Sequence, residues 1–366
     1  MSIRGERGRS GVTAGRKPAR GESMRKLLNT LYVTSPDSYL ARDGENIVVL
    51  IGDEEKIRVP IHNLEGVVAF GYAGASPALM ALCAERNVGL CFLTEHGRFL
   101  ARVSGKVQGN VLLRRKQYRV ADQPEECLTL AKGFIYAKIS NCRTVLSRGL
   151  RDHGDTVDRG AVAEAYESLN RQLRRLEHCQ DLDTLRGTEG DAARTYFSVF
   201  DHLILSNKTE FFFHERNRRP PKDNMNALMS FLYTLLAHDT QSALESVGLD
   251  PAVGFLHQDR PGRAGLALDL MEELRPFLAD RVALSLVNLK QVAAKGFRQS
   301  ETGGVIMDDE TRKVVLTAWQ KKKQEELTHP YLNEKVDIGL LPYAQALLLA
   351  RYLRGDLDGY PPFFWK

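Results

Sequence analysis

The stretch HQDRPGRAGLALDLMEELRP places acidic side chains on a segment that otherwise has the composition of an interior helix. At helical spacing, Asp269, Glu272 and Glu273 share one stripe, and leucines line both sides of it. An ionised carboxylate buried there without a partner is strongly destabilising, so a divalent cation or a basic side chain would have to compensate it. The ordinary alternative is a solvated acidic stripe near a helix start, where carboxylates favour the helix dipole.

A histidine precedes this helix and supplies a possible nitrogen ligand. His257 lies before the Pro261-Gly262 pair, which can turn the chain back toward the acidic stripe. A lone histidine is more often a packed or surface residue than a ligand. Together with two carboxylates, however, it forms an oxygen-dominated set that suits Mn²⁺ or Mg²⁺ better than zinc or copper.

A third acidic candidate lies in the stretch RGTEGDAARTYF, residues 186–197. The glycines and polar residues of 179–190 predict a loop, after which Thr188 and Asp191 could form the cap of a helix. Glu189 would then project from the helix start. Spacing alone does not connect Glu189 with His257.

Basic residues are concentrated in three places. The loop before residue 224 contains the first cluster and is stiffened by two prolines, and Asp223 or Asn224 can cap the helix that follows. Such clusters are usually solvated surface, but they can also line a phosphate backbone. The clusters are Arg216, Arg218, Arg219 and Lys222; Arg114, Arg115, Lys116 and Arg119; and Lys321, Lys322 and Lys323.

Composition limits the class of protein. The chain has 366 residues and a net charge of +5, but residues 1–23 contribute +4 of it, so the body is nearly neutral. That segment has the composition of a disordered basic extension. No apolar run is long enough to span a membrane, and the five cysteines are scattered without a CxxC pair, which is typical of a reduced cytoplasmic protein without a zinc site or disulfides. Motifs for nucleotide binding and serine hydrolysis are absent.

The elements that must position these residues form two regions of an α+β protein. Residues 24–104 have the short, branched runs and turn signals of a β-rich domain, and residues 105–110 predict a hinge. Residues 111–366 are mainly α-helical, with a β-hairpin predicted near 303–319. The predicted helices are 111–119, 124–151, 159–178, 190–213, 224–247, 264–280, 318–328 and 337–354.

Four motifs, in this order, resemble one known family. They are RGTEGDAARTYF, RRPPKDNMNALMSFLYTLL, VGFLHQDRPGRAGLALDLMEELRP and TGGVIMDDETRKVVLTAW. From Met24 onward the chain is similar to Cas1, the CRISPR-associated integrase and endonuclease that inserts new spacers, and within it to the members of type I-C systems. The resemblance implies a β-sandwich-like N-terminal domain that dimerises, a hinge, and a larger helical catalytic domain.

The resemblance also implies the site residues. Glu189, His257, Asp269 and Glu272 would be the catalytic residues and would hold the metal. Tyr233 matches a tyrosine near the site. The candidate DNA-binding residues are Arg216, Arg218, Arg219, Lys222, Tyr233 and Arg263.

The implied reaction is transesterification by a DNA 3′-hydroxyl, with Mn²⁺ or Mg²⁺ as cofactor. The implied partners are spacer-precursor and repeat DNA, a second copy of the chain, and the small partner protein Cas2, all in the cytoplasm and without a membrane. Two other functions remain open: a metal-dependent nuclease acting on branched DNA in repair, and a non-catalytic DNA-bridging scaffold whose acids pair with Arg263 or Arg275.

Overall fold

The computed structural model describes residues 30–365, apart from positions 36, 65, 72–73, 95–98, 104, 106–110 and 302. The predicted basic extension and nearly all of the predicted hinge lie outside the described residues. No described helix is long and apolar enough to cross a membrane. All five cysteines are free and buried.

The described part of the first region contains eight strands and one α-helix. Two four-stranded sheets form, in the orders β4-β3-β2-β6 and β1-β5-β7-β8. Gly44, with φ +58°, and Gly52, with φ +62°, make the tight turns that join β2 to β3 and β3 to β4. The elements are β1 (Thr30–Val33), β2 (Ser38–Asp43), β3 (Asn46–Ile51), β4 (Glu54–Pro60), β5 (Gly66–Phe70), β6 (Gly74–Ala75), α1 (Pro77–Glu85), β7 (Gly89–Leu93) and β8 (Phe99–Val103).

Alternation along β5 shows how this region joins the rest of the chain. Val67 and Ala69 face the core shared with the first sheet and α1, whereas Val68 and Phe70 belong to the large core of the helical region. Successive side chains of a strand point to opposite faces, so both faces of the second sheet are buried. The α+β fold with a sandwich-like N-terminal part is confirmed.

The second region is mainly helical. Asp223 accepts a hydrogen bond from the Asn226 N–H and caps α6, as predicted. The elements are α2 (Val111–Ala121), α3 (Pro124–His153), α4 (Arg159–Glu177), α5 (Leu182–Ser198), α6 (Asn224–Ser246), α7 (Gly265–Glu272), α8 (Arg281–Asn288), β9 (Phe297–Gln299), β10 (Val305–Met307), α9 (Asp309–Lys323), β11 (Glu326–Thr328), β12 (Lys335–Asp337) and α10 (Leu341–Arg354).

The predicted hairpin near 303–319 is wrong in its second half. β10 pairs with the preceding strand, β9, and the rest of the segment is α9. Asp308 accepts a hydrogen bond from the Thr311 N–H, so the acidic residues begin a helix rather than form a turn. Val315 and Trp319, one helical turn apart, are fully buried in the large core.

The predicted loop 179–190 is also wrong. Helix α5 begins at Leu182, after Asp181 accepts a hydrogen bond from the Thr184 N–H at 2.8 Å. Thr188 is therefore inside the helix, where its hydroxyl donates to the Thr184 carbonyl. Burial of Leu185 and Tyr196 on one face stabilises this helix despite its two glycines, each of which costs about 1 kcal/mol relative to alanine.

Arg102 and Lys323 connect the strand-rich region with the helices. Arg102 of β8 contacts Glu245 at 2.6 Å, and Lys323 of α9 contacts Asp239 at 2.9 Å while lying next to Thr30. Lys323 is 3% exposed. The third predicted basic cluster is thus partly internal, because Lys323 is used to join the two regions.

Candidate active site

Asp269 holds the turn that carries His257. The carboxylate is fully buried and accepts hydrogen bonds from three consecutive backbone N–H groups, those of Phe255 at 2.6 Å, Leu256 at 2.9 Å and His257 at 3.0 Å. The chain approaches α7 so closely that a Cβ on Gly254 would lie 2.9 Å from an Asp269 oxygen. The sequence feature Gly-Phe-Leu-His is therefore a backbone cradle for this carboxylate.

The side chain of His257 is oriented by the same acid. Its Nδ1 lies 2.5 Å from Oδ1 of Asp269. Because Asp269 already accepts three N–H groups, it acts as an acceptor here, and Nδ1 carries the proton. The lone pair of Nε2 is then available for a metal ion, an arrangement in which a carboxylate fixes the tautomer of a ligating histidine.

Glu189 and Glu272 are drawn together by Lys138. Helix α3 carries Lys138, whose Nζ contacts Oε1 of Glu189 on α5 and lies 2.8 Å from Oε2 of Glu272 on α7. The three side chains are 12%, 26% and 4% exposed. Glu272 Oε2 is buried and makes no hydrogen bond within the described part of the chain, so its contact with Lys138 is an ion pair without hydrogen-bond geometry.

Positive charge keeps Glu272 ionised. Burial by itself would raise the pKa of this carboxyl, but the positive charges of Arg275 and Lys138 outweigh burial and lower the pKa to about 2. Arg275 Nη1 lies 2.6 Å from Glu272 Oε1. Burial likewise lowers the pKa of Lys138, but Glu272 and Glu189 raise it overall, so the ammonium stays charged. The carboxyl of Glu272 is thus held in its ionised form by the two cations beside it.

Arg186 joins α5 to the histidine turn. Its Nη2 donates to the Leu256 carbonyl at 2.8 Å, from a position one helical turn before Glu189. The helix that carries Glu189 is therefore held directly against the backbone that carries His257. No sequence pattern selects Arg186, since an arginine near a helix start is common.

Tyr233 lies beside this group of charges. Its hydroxyl donates to Oδ1 of the buried Asp280 at 2.7 Å, and Tyr196 donates to the other oxygen at 3.1 Å. The guanidinium of Arg275 lies 4.9 Å from the centre of the Tyr233 ring, and that of Arg216 lies 5.2 Å from it. Arg275 thus contacts both Glu272 and Tyr233, which places the tyrosine next to the site.

The predicted DNA-binding loop divides into an internal and an external part. Arg216 is turned inward, where it donates to Asn226 at 2.6 Å and to Ser230 at 3.1 Å. Arg218, Arg219 and Lys222 are exposed. Arg216 therefore supports the loop, and the other three form its basic surface. Arg263 is half-buried in the loop between His257 and α7.

The four predicted site residues are thus brought together in two pairs. His257 contacts Asp269, and Glu189 is joined to Glu272 through Lys138. Within the described residues, no three His, Cys, Asp or Glu side chains are close enough to form a ready metal cluster, and the contacts above explain why. Asp269 is occupied by backbone donors, and an ammonium lies between the two glutamates. Lys138 was not selected from the sequence, although a lysine between the buried Ala137 and Ile139 is a signal that could have indicated it.

Comparison with known proteins agrees with this fold. The family model described as CRISPR associated protein Cas1 matches residues 31–321. The chain is 52% identical, over 94% of its length and 100% of the relative's, to CRISPR-associated endonuclease Cas1 1 of Chlorobaculum tepidum.

Two solved structures share the fold. A casposase bound to its integration product has a TM-score of 0.79 at 20% identity and covers 92% of this chain and 94% of its own. A chain of a Cas6-RT-Cas1–Cas2 complex has a TM-score of 0.76 at 21% identity and covers 94% of this chain and 37% of its own. The extent of the family match and the identity to the curated relative establish that this chain belongs to the Cas1 family of CRISPR-associated endonucleases.

Proposed function

We propose that this chain is a divalent-metal-dependent DNA integrase and endonuclease that inserts new spacers into a CRISPR repeat array. One observation carries the proposal: three separate segments bring an oriented histidine and two carboxylates into two neighbouring pairs, which Arg186 joins through its bond to the Leu256 carbonyl. Glu272 Oε2 is buried, and the ammonium of Lys138 lies 2.8 Å from it, in the place that a divalent cation would take. Membership of the Cas1 family supports the same function.

The donor set fits Mn²⁺ or Mg²⁺. His257 Nε2, Glu189 and Glu272 would hold the ion, and Asp269 would orient His257 instead of binding the ion, because its oxygens already accept four donors. One imidazole with two carboxylates is an oxygen-rich set that suits these cations. When bound, the ion would polarise the scissile phosphate and stabilise charge on the leaving oxygen.

The reaction is an exchange of phosphodiester bonds. The 3′-hydroxyl oxygen of the incoming DNA bonds to a phosphorus of the repeat, the bond from that phosphorus to its own 3′ oxygen breaks, and the proton lost by the attacking hydroxyl balances the one gained by the leaving oxygen. Because one phosphodiester bond replaces another, the reaction consumes no ATP. Arg275, held by Glu272, lies beside the site and would position the phosphate, and the ring of Tyr233 packs against its guanidinium.

Surface features are consistent with DNA and protein partners. Arg218, Arg219 and Lys222 would contact the DNA backbone. Ile51 and Ile57 of the strand-rich region are exposed at 37% and 44%, and a second copy of the chain would cover them. Cas2, which is part of the complex named for one structural neighbour, is the proposed bridging partner.

Substitution of the two glutamates tests the proposal. Glu189→Gln and Glu272→Gln should each reduce Mn²⁺-dependent joining of a 3′-hydroxyl end to a repeat duplex by at least about 100-fold, while DNA affinity changes little. Glu164→Gln, an exposed acid on α4, is the matched control.

Two other results would count against the proposal. If the purified chain cuts branched junctions but joins no 3′ end, a repair nuclease is the better description. If joining survives both substitutions, the acids serve only in ion pairs such as Glu272–Arg275, and the proposed site is wrong.

A further inference from the structure

Lys138 is an unusual residue for its position. It lies in the interior helix α3, where Ile135, Ala137 and Ile139 are buried, and its own side chain is only 12% exposed. The ammonium contacts two carboxylates, Glu189 and Glu272, which come from two other helices. A lysine so placed is not a solvated surface charge, and its position requires a physical reason.

The ammonium and a divalent cation need the same oxygen atoms. Lys138 Nζ lies 2.8 Å from Glu272 Oε2 and contacts Glu189 Oε1, so it fills the space between the two carboxylates. A Mg²⁺ or Mn²⁺ ion binds carboxylate oxygens at about 2.1 Å and repels a neighbouring ammonium strongly in a buried site. Both cations cannot remain in contact with this pair of oxygens.

Removal of the ammonium has a cost in the metal-free protein. Glu272 would keep Arg275 as a partner at 2.6 Å, but Glu189 has no other cation contact among the described residues. A buried carboxylate and a partly buried one that face each other without a shared cation are destabilising. The flexible four-carbon stem of lysine allows its ammonium to move when a stronger cation arrives, which the planar fork of arginine would hinder.

We propose that Lys138 is an internal counter-cation that neutralises Glu189 and Glu272 in the metal-free protein and competes with the divalent ion for them. This inference rests on the proposed metal site. The protein thereby keeps its two ligating helices together before metal arrives, at the cost of weaker metal binding. Lys138 is in this view a positioning residue whose withdrawal accompanies metal loading.

Metal affinity in the absence of DNA tests the proposal. Titration of free Mn²⁺, followed by electron paramagnetic resonance, should show about tenfold or more tighter binding to Lys138→Met than to the unmodified protein, because a competing positive charge is gone. Lys138→Arg, which retains the charge, should bind no more tightly than the unmodified protein. Lys132→Met removes a charge from the same helix at a lysine whose ammonium contacts the Glu177 carbonyl, and should change nothing.

Thermal unfolding provides a readout that is independent of binding measurements. Metal-free Lys138→Met should melt below the unmodified protein and should gain more from saturating Mn²⁺. Lys138→Gln serves in the same way if the methionine variant does not fold.

The outcomes separate the two proposals. Mn²⁺ binding to the unmodified protein with equal or weaker binding to both neutral variants would overturn the competition and leave the metal site standing. Absence of Mn²⁺ binding to every form would overturn both.

Discussion

Nδ1 of His257 lies 2.5 Å from Oδ1 of Asp269, and the same carboxylate accepts the backbone N–H groups of residues 255–257. One buried acid therefore fixes both the position and the tautomer of the histidine. This relationship makes Asp269 a support for the candidate site, and it leaves Glu189 and Glu272 as the carboxylates able to bind a metal ion.

Asp269→Asn should weaken Mn²⁺ binding by about 10–100-fold, the usual effect of losing the carboxylate that orients a ligating histidine. It should also lower the free energy of unfolding, because an amide nitrogen would face backbone N–H groups that now have an acceptor. Calorimetric titration with Mn²⁺ and urea denaturation measure the two effects. Asp259→Asn, an exposed acid in the same loop, is the control. Unchanged metal affinity in Asp269→Asn would contradict the orienting role.

Neutralising the exposed part of the basic loop should reduce DNA affinity and its salt dependence. Each lost phosphate contact lowers the slope of log affinity against log salt by about 0.9 for duplex DNA, so Arg218→Ala combined with Arg219→Ala should lower it by up to about 1.8. Fluorescence anisotropy across a salt series measures the slope. Arg171→Ala, an exposed arginine on α4, should leave it unchanged. An equal decrease in the control would show that the effect is one of net charge.

Arg216→Ala should behave differently, because its guanidinium is bonded to Asn226 and Ser230 inside the protein. We expect a loss of unfolding free energy of a few kcal/mol, since those groups lose a charged donor. Urea denaturation measures this loss, and Arg218→Ala is the comparison. A destabilisation equal to that of Arg218→Ala would show that Arg216 does not support the loop.

Acid should destabilise the protein partly through His238. Burial, and then the charge of Arg102, lower the pKa of His238 from 6.5 to about 4. The unfolded chain therefore binds a proton below pH 6.5 that the folded chain does not, so the stability contributed above pH 6.5 is lost as pH falls toward 4. At about 1.4 kcal/mol per pKa unit the loss is up to about 3 kcal/mol. His238→Gln should flatten the pH dependence of urea stability in this window, and an unchanged slope would contradict the assignment.

The start of α5 can be tested by its cap. Asp181→Ala should cost about 1 kcal/mol, because the Thr184 N–H loses its acceptor. Asp183→Ala, a 94% exposed neighbour within the first turn, should cost much less. Urea denaturation compares the two, and equal costs would place the helix start elsewhere.

The sequence determined the fold class, most of the helix positions and the segments of the candidate site. Apolar periodicity and turn residues predict these features because they reflect local backbone preferences, as in the Gly44 turn and the Asp223 cap. The sequence misplaced the start of α5 because Gly187, Thr188 and Gly190 favour a loop locally, whereas burial of Leu185 and Tyr196 stabilises a helix. Asp308 is misplaced in a similar way: adjacent acidic residues are typical of a turn, but here Asp308 accepts the Thr311 N–H and begins a helix.

Only the tertiary structure decided which charges meet. Lys138, Glu189 and Glu272 lie on three helices, and no spacing along the chain indicates that one ammonium contacts both acids. The amino-acid sequence also does not indicate that backbone N–H groups enclose Asp269, because this depends on the close approach of Gly254 to α7. Local sequence determines where a helix begins and which face is apolar. Packing of distant segments determines which buried carboxylate has free oxygens and which is already bonded.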